Sequence, residues 1–290
     1  MKKPMLGLPM LSYQLSTAWR SLWRRPSFSL SVILTMGLTL SILLTASRLF
    51  DHLVLQPLPY PASAQLYKVE QQQIDSTGMV NVNAYGYAGL MHLYQQQHLP
   101  DAVFSSVGLA HYDDEVLASH QAQPKLATAY VSADFFQTLA AKVQLGQLPD
   151  ANSDPEQALA SAVLSAASWQ TLFNADPSII GQTLSIRGQS FNIVAVLASD
   201  FIEPELYQAG RQTAIWLPWQ FNPVPASTRQ RFGDRSNPRI FIGRLKTEIS
   251  PAQANTSLTA LMDQSWQQQT AVSRFIKAGV FRCNCIAFAK

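Results

Sequence analysis

The chain has 290 residues and a mass of 32.1 kDa, room for one or two domains. Hydrophobic residues make up 47% and charged residues 13%, about half the usual charged share, which excludes a disordered tail or a solvated coiled coil. The net charge is +3 and the mean hydropathy +0.02, too low for a chain made mostly of membrane spans. Cys283 and Cys285 are the only cysteines, which excludes a disulfide-stapled scaffold.

Residues 1–25 hold Lys2, Lys3, Arg20, Arg24 and Arg25 and no acid. Removing these five from the 21 basic residues leaves 16 against 18 acids, a net of −2. The body of the chain is therefore not a basic nucleic-acid binder. Leu11, Leu15, Ala18, Trp19 and Leu22 recur at helical spacing, with Arg20 and Arg24 off that face. This predicts an amphipathic helix on the membrane surface.

From Pro26 to Ser47 there is no charged residue. A helix over this stretch spans about 33 Å, enough for a hydrocarbon core of about 30 Å. The run is too long for the apolar core of a cleaved signal peptide, so a retained anchor is expected. Arg20, Arg24 and Arg25 on its N-terminal flank predict a cytoplasmic N-terminus and a body outside, in the periplasm of a didermous bacterium or on the outer face of another cell. Ser27, Ser31, Thr35 and Thr39 recur at i, i+4, with Gly37 as a further small position. Such a stripe suits close packing against other membrane helices. Alternatively, each hydroxyl bonds back to the carbonyl four residues earlier. Both readings stand at this point. No second apolar run of 18 residues follows, so any partner helices would come from another chain.

Past the stiff exit Gln56-Pro57-Leu58-Pro59-Tyr60-Pro61, the pattern predicts strands at 65–71, 103–110 and 125–131 and a helix at 83–97. Ser132 is expected to cap a short helix holding Phe135, Phe136 and Leu139. A strand at 160–164 leads into a helix that starts at Ser165. Strands at 183–186 and 191–197 flank a hairpin turn around Arg187-Gly188-Gln189. Strands at 215–217 and 239–246 precede a helix capped by Ser250, with Pro251 at its first position, running to about 268. Strands and helices without regular βαβ repetition predict an α+β fold.

Chemistry-bearing motifs are sparse. There is no phosphate-binding G-x-x-x-x-G-K-[ST], no H-E-x-x-H and no G-x-S-x-G. His111, Asp113, Asp114 and Glu115 form a polar group with metal-ligand potential, but adjacent acids on a solvated turn are the stronger expectation. Cys283 and Cys285 fall short of the four ligands of a structural zinc. Glu203 and Glu205, with a proline between them, read as a loop. Arg229, Arg231, Arg235, Arg239, Arg244 and Lys246, with Asp234 the only acid among them, could meet anionic headgroups or a partner. A solvated loop followed by an edge strand is the plainer reading. No catalytic residue, cofactor-binding residue or metal ligand is assigned, and no enzyme activity is expected.

Several segments in order resemble MacB/FtsX-type ABC transporter permeases. They are WRSLWRRPSFSL, LFDHLVLQPLPYPASAQLYKVE, YVSADFFQTLA, the block VLSAASWQTLFNADPSIIGQTLSIRGQSFNIVAVLASDF, AIWLPW and IFIGRLKTEISPAQANTSL. Together they cover roughly residues 13–265. The resemblance implies a cytoplasmic segment at 1–25, a membrane helix at 26–50, a MacB-like periplasmic core domain at 51–270 and an atypical tail at 271–290. Within the core domain it implies a membrane-proximal lobe at about 62–125 and 237–268 and an inserted lobe at about 126–236. It implies an ABC ATPase subunit, a homo- or hetero-dimeric permease partner, membrane lipid and a periplasmic adaptor as partners, and no nucleic acid. The implied role is relay of ATP-driven movement across the bacterial inner membrane, for efflux or for lipoprotein or peptide handling. The alternative is a stand-alone anchored binding or scaffold module.

Two departures from the family pattern stand out. Leu139-Ala140-Ala141 lies where the family often has a Gly turn, and a local backbone change is expected there. The chain also lacks the family's three further membrane helices, so a permease cut short by a frameshift or early stop is expected, with a natural short form as the other reading.

Overall fold

A computed structural model describes residues 26–50, 60, 62–74, 80–82, 86–151, 153–204, 206, 208, 210–229, 239–270 and 280–287. The chain divides into two compact units, one over residues 1–58 and the other over 59–289.

In the first unit, Pro26–Phe50 forms one α-helix, α1. Its apolar part, Leu30–Leu49, has a mean hydropathy of 1.9 and is long and apolar enough to cross a membrane. Its large side chains are exposed: Ile33, Leu38 and Leu43 lie open along it. Pro26 at the first helical position costs nothing, because that N–H has no intrahelical acceptor. Arg20, Arg24, Arg25 and the amphipathic stretch before them lie outside the described residues.

The second unit is a mixed α/β domain with eleven strands among the described residues. In chain order they are β1 (Leu66–Ile74), β2 (Val80–Val82), β3 (Phe104–Val116), β4 (Lys125–Val131), β5 (Val143–Gly146), β6 (Ser161–Leu164), β7 (Thr183–Ile186), β8 (Gln189–Leu197), β9 (Ile215–Pro218), β10 (Arg239–Leu245) and β11 (Val280–Ala287). The helices are α2 (Tyr87–Gln96), α3 (Phe135–Thr138), α4 (Ala166–Leu172), α5 (Ala226–Arg229) and α6 (Pro251–Thr270). One sheet runs β11-β1-β10-β3-β4-β9-β6-β8-β5, with β2 on β1 and β7 on β8. Pairing is parallel at β4–β9 and β6–β8 and antiparallel elsewhere.

Two hydrophobic cores divide this sheet into lobes. In the first lobe, α2 and α6 pack on β1, β3, β10 and β11, burying Leu90, Tyr94, Leu109, Phe241, Leu258 and Met262. In the inserted lobe, Tyr130, Leu164, Phe191, Ile193, Ile215 and Leu217 form the core. Burying each such side chain contributes about 1.5–3 kcal/mol, so each lobe has an apolar centre of its own. The lobes are joined through β3 and β4, which pair from Ala110↔Val131 to Val116↔Lys125.

Local chemistry explains most element boundaries. Ser165 accepts the backbone N–H of Ser168 at 3.0 Å and caps α4. Ser250 and Gln253 form a reciprocal capping box at the start of α6, with Pro251 first in the helix. Arg187 and Gly188 both have positive φ between the paired residues Ile186 and Gln189, as a two-residue type I′ hairpin requires.

Four expectations are corrected. Residues 111–115 are not a turn but part of the C-terminal half of the thirteen-residue strand β3. Asp134 precedes α3, and Ser132 does not cap it: its hydroxyl accepts the N–H of Leu109 at 2.8 Å and donates to Asp134 Oδ1 at 2.5 Å. β10 is an inner strand between β1 and β3, not an edge strand. Its residues are buried on both faces; Arg244 reaches past the apolar side chains to backbone carbonyls, and Arg239 lies over the Tyr87 ring. Residues 280–287, for which the sequence predicts no element, form β11 against the outer side of β1, from Tyr67↔Ala287 to Ile74↔Val280.

Candidate functional site

The inserted lobe holds a cleft of about 730 Å³, a volume in the range of ligand pockets. Its floor is one face of the sheet: Val131 of β4, Val163 of β6, Val194 of β8 and Trp216 of β9. Ala133 and Phe136 form one wall, and the loop from Leu148 to Ala160 forms the opposite side. Asp150 is the only ionisable residue in the lining. Leu159 on the loop is 86% exposed, so the mouth is also apolar.

Helix α2 belongs to the first lobe, yet it holds both sides of this cleft. On the loop side, Tyr87 donates to Glu156 Oε1 at 2.5 Å, and Glu156 pairs with Arg229 at 3.5 Å. Burial first, then the Glu156 contact, pushes the Tyr87 hydroxyl well above its usual range. On the wall side, Tyr94 donates to Asp134 Oδ2 at 2.7 Å, and His98 Nε2 lies 3.1 Å from the same oxygen. Asp134 is buried and sits between Ala133 and Phe136. Phe136 in turn meets the Trp216 ring edge-on, with centroids 6.3 Å apart. The sequence marks α2 as a helix with tyrosines at 87 and 94, seven residues apart, but not what their hydroxyls reach.

A second polar cluster lies beside the same lobe. Glu203 Oε1 accepts from Tyr112 at 2.9 Å and from Trp216 Nε1 at 3.2 Å. Tyr60 donates to the carbonyl of neighbouring Ile202. The Glu203 carboxyl is enclosed, and that desolvation raises its pKa against the opposing pull of its donors. Glu205 lies outside the described residues.

The polar group at 111–115 is distributed by strand alternation. His111 and Glu115 lie on one face; Tyr112 and Asp114 lie on the other. Glu115 accepts from Tyr130 at 2.8 Å and from Arg187 at 3.3 Å. Asp114 pairs with Arg211 at 2.8 Å, which lowers its pKa. These acids do not converge, and among the described residues no group of three or more His, Cys, Asp or Glu is placed to hold a metal. Cys283 is buried in the first core, and burial pushes its thiol up to about 12 and that of Cys285 up to about 11.

The described members of the basic segment are engaged by the fold, while residues 230–238, to which the solvated-loop reading applies, lie outside the described residues. Arg229 donates to the carbonyls of Gln220, Asn222 and Val224 and lies over the Tyr87 ring. Arg244 donates to the carbonyls of Ala62 and Thr138, and Lys246 to that of Pro100. Arg239 is buried. Arg231, Asp234 and Arg235 lie outside the described residues.

In α1, Thr35 Oγ1 donates to the Ser31 carbonyl and Thr39 Oγ1 to the Thr35 carbonyl, each at 3.0 Å. This is the self-satisfied arrangement. Ser27, Ser31, Thr35, Gly37 and Thr39 are exposed along the helix.

An apolar helix long enough to cross a membrane thus precedes a two-lobed α/β domain with one continuous sheet. The family model of the MacB-like periplasmic core domain matches residues 30–261, and the chain belongs to that family. The fold is similar to a domain of a protein assigned as a permease from Porphyromonas gingivalis, with a TM-score of 0.57 and 14% identity over 80% of this chain and 92% of that one. Two further structures match at 12% identity. The extracellular domain of the noncanonic ABC-type transporter YknZ from Gram-positive bacteria has a TM-score of 0.47, covering 76% of this chain and 99% of that one. The periplasmic region of MacB from Actinobacillus actinomycetemcomitans has a TM-score of 0.44, covering 70% and 92%. Among curated proteins nothing matches.

Proposed function

We propose that the chain is the anchor and core domain of an ABC permease of the mechanotransmission type. Its N-terminus lies in the cytoplasm, and its two-lobed domain lies in the periplasm. In this reading an ATPase subunit drives the membrane helices of a dimeric permease, and the domain carries the movement outward for efflux or for lipoprotein or peptide handling. Ser27, Ser31, Thr35, Gly37 and Thr39 are the face that approaches a neighbouring membrane helix. The Thr35 and Thr39 hydroxyls are already satisfied within α1, so at those positions the approach rests on small-residue packing rather than on hydrogen bonds between helices. Arg20, Arg24 and Arg25 set the orientation.

The observation that carries the reading is the continuous sheet, which runs from β1, the first described strand after the apolar helix, through β3 and β4 into the inserted lobe. A displacement applied to one lobe therefore passes to the other through paired backbone rather than through a flexible linker.

The test is isolation of the full chain from native membranes after crosslinking, with ATP hydrolysis measured in the eluate. Hydrogen exchange is then compared with and without vanadate-trapped nucleotide. An associated ATPase and a nucleotide-dependent change in the domain are expected. A stably accumulating chain with no ATPase, and exchange indifferent to nucleotide, would support the stand-alone scaffold instead.

A further inference from the structure

His98 lies just beyond the end of α2, with its side chain 46% exposed. Its two ring nitrogens face two acceptors. Nδ1 is 2.9 Å from the Tyr94 carbonyl, and Nε2 is 3.1 Å from Asp134 Oδ2. A neutral imidazole has one N–H and satisfies one of these contacts; the imidazolium satisfies both. The Tyr94 and His98 rings are also in contact, with centroids 4.5 Å apart, so the imidazole is held in place.

Asp134 is the fixed half of the pair. It is buried and also accepts from Ser132 at Oδ1 and from Tyr94 at Oδ2. It stands where the chain leaves β4 and crosses to α3. Gly108 faces Phe135 of α3, and a Cβ at Gly108 would lie 2.8 Å from Phe135 Cα. Leu109, one residue on, belongs to the core that holds α2. The crossing segment therefore links elements on opposite faces of the sheet. Its residues Ala133 and Phe136 line the cleft.

We propose that His98 and Asp134 form a proton-operated latch. With the imidazole protonated, α2 grips the crossing segment and holds the Ala133–Phe136 wall of the cleft in place. With it neutral, one of the two contacts is lost; where that is the contact to Asp134, α2 holds the wall through Tyr94 alone, and the wall moves away from α2 more readily. The ionisable group acting on the imidazole is Asp134 from the crossing segment, joined by the backbone carbonyl of Tyr94 from its own helix; Asp154, on the loop across the cleft, acts on the Tyr94 hydroxyl in turn. The bond to Asp134 raises the His98 pKa above the ordinary histidine value against the effect of burial, so the closed form persists to higher pH than a free imidazole would allow. The latch concerns the domain alone and does not depend on an ATPase partner.

The test uses the full chain in lipid nanodiscs. Hydrogen exchange of residues 131–138 is compared at pH 5.5 and pH 8.0 after correction for chemical exchange, in wild type and in His98→Gln. In wild type the segment should exchange a few-fold faster at pH 8.0, as expected for a partly exposed pair. In His98→Gln that difference should vanish. Equal protection at both pH values in wild type, or the same response persisting in His98→Gln, would overturn the latch. In parallel, the His98 ring is titrated by NMR. Its midpoint should lie above the ordinary histidine value and fall toward it in Asp134→Asn; a wild-type midpoint at or below the ordinary value overturns the proposal. Should Asp134→Asn not fold, the half-exposed His98→Gln decides alone.

Discussion

Asn255 Oδ1 accepts the backbone N–H of Cys285 at 2.6 Å, so a side chain of α6 covers a backbone donor of the end strand β11. Thr259, one turn along, does the same for Cys283 at 2.9 Å. An uncovered strand edge is a template for pairing with other chains, and here a helix closes part of it. Cys283 is buried, so its N–H has no ready replacement for the threonine oxygen. Thr259→Val should cost about 1–3 kcal/mol. Asn255→Ala should cost nearer 1 kcal/mol, because Cys285 is partly exposed and water can substitute. Urea denaturation of the full chain in micelles reads both. An unchanged midpoint for Thr259→Val would show that this contact does not protect the edge.

Ala140 has φ of +52° and ends α3 in a Schellman arrangement. Its N–H donates to the Gln137 carbonyl at 3.0 Å, and that of Ala141 to the Phe136 carbonyl at 2.9 Å. This is the turn at which the resemblance to the permeases leads us to expect a glycine. An L-residue there costs about 1–2 kcal/mol, of which glycine's larger unfolded-state entropy takes back about 0.4–1. Ala140→Gly should therefore raise stability by about 0.5–1 kcal/mol, seen as a higher thermal midpoint. A lower midpoint would contradict the cap assignment.

Gly146 and Gly181 both have positive φ, but only Gly146 is crowded. A Cβ on Gly146 would lie 2.0 Å from the Val194 carbonyl oxygen, whereas at Gly181 nothing lies within 4 Å. Gly181→Ala should cost only the backbone penalty of about 1 kcal/mol. Gly146→Ala should cost about 2–4 kcal/mol and loosen β5 from β8, visible as faster exchange at 143–146. Equal costs for the two variants would refute the packing argument.

Glu203 sets a pH dependence of known sign. Its folded pKa is raised by burial, so its contribution to stability is fully present below its unfolded value of about 4.3. That contribution is lost as pH rises through the folded value. Glu203→Gln retains an acceptor for Tyr112 and Trp216 without the buried charge. Wild type should lose stability relative to this variant between pH 4 and pH 7, and at pH 7 the variant should be at least as stable. Denaturation curves at pH 4, 5.5 and 7 check it; parallel profiles would show that the carboxyl is not desolvated.

Much of the architecture was readable before any coordinates. The α1 span, the strand at 125–131, the caps at Ser165 and Ser250 and the Arg187-Gly188 turn rest on local chemistry that short sequence windows carry. The family was readable too, because several separate segments occur in its order. The errors came from tertiary context. Ser132 has the residue type of a cap but spends its hydroxyl on Leu109 and Asp134. The acids at 113–115 have the residue types of a solvated turn, yet partners on both faces of β3 draw them into a strand.

Length, charge distribution and hydropathy by themselves determined an apolar helix ahead of a mixed α/β domain and left no motif for catalysis. Those properties depend on residues near one another in the chain. Tertiary structure alone decided that β10 is an inner strand, that residues 280–287 join the sheet, and that α2 of one lobe clasps the cleft of the other. Each of these depends on pairs far apart in sequence, such as Tyr87 with Glu156 and His98 with Asp134. A hydrogen bond between such partners leaves no periodicity in the chain, because it exists only once the fold has brought them together.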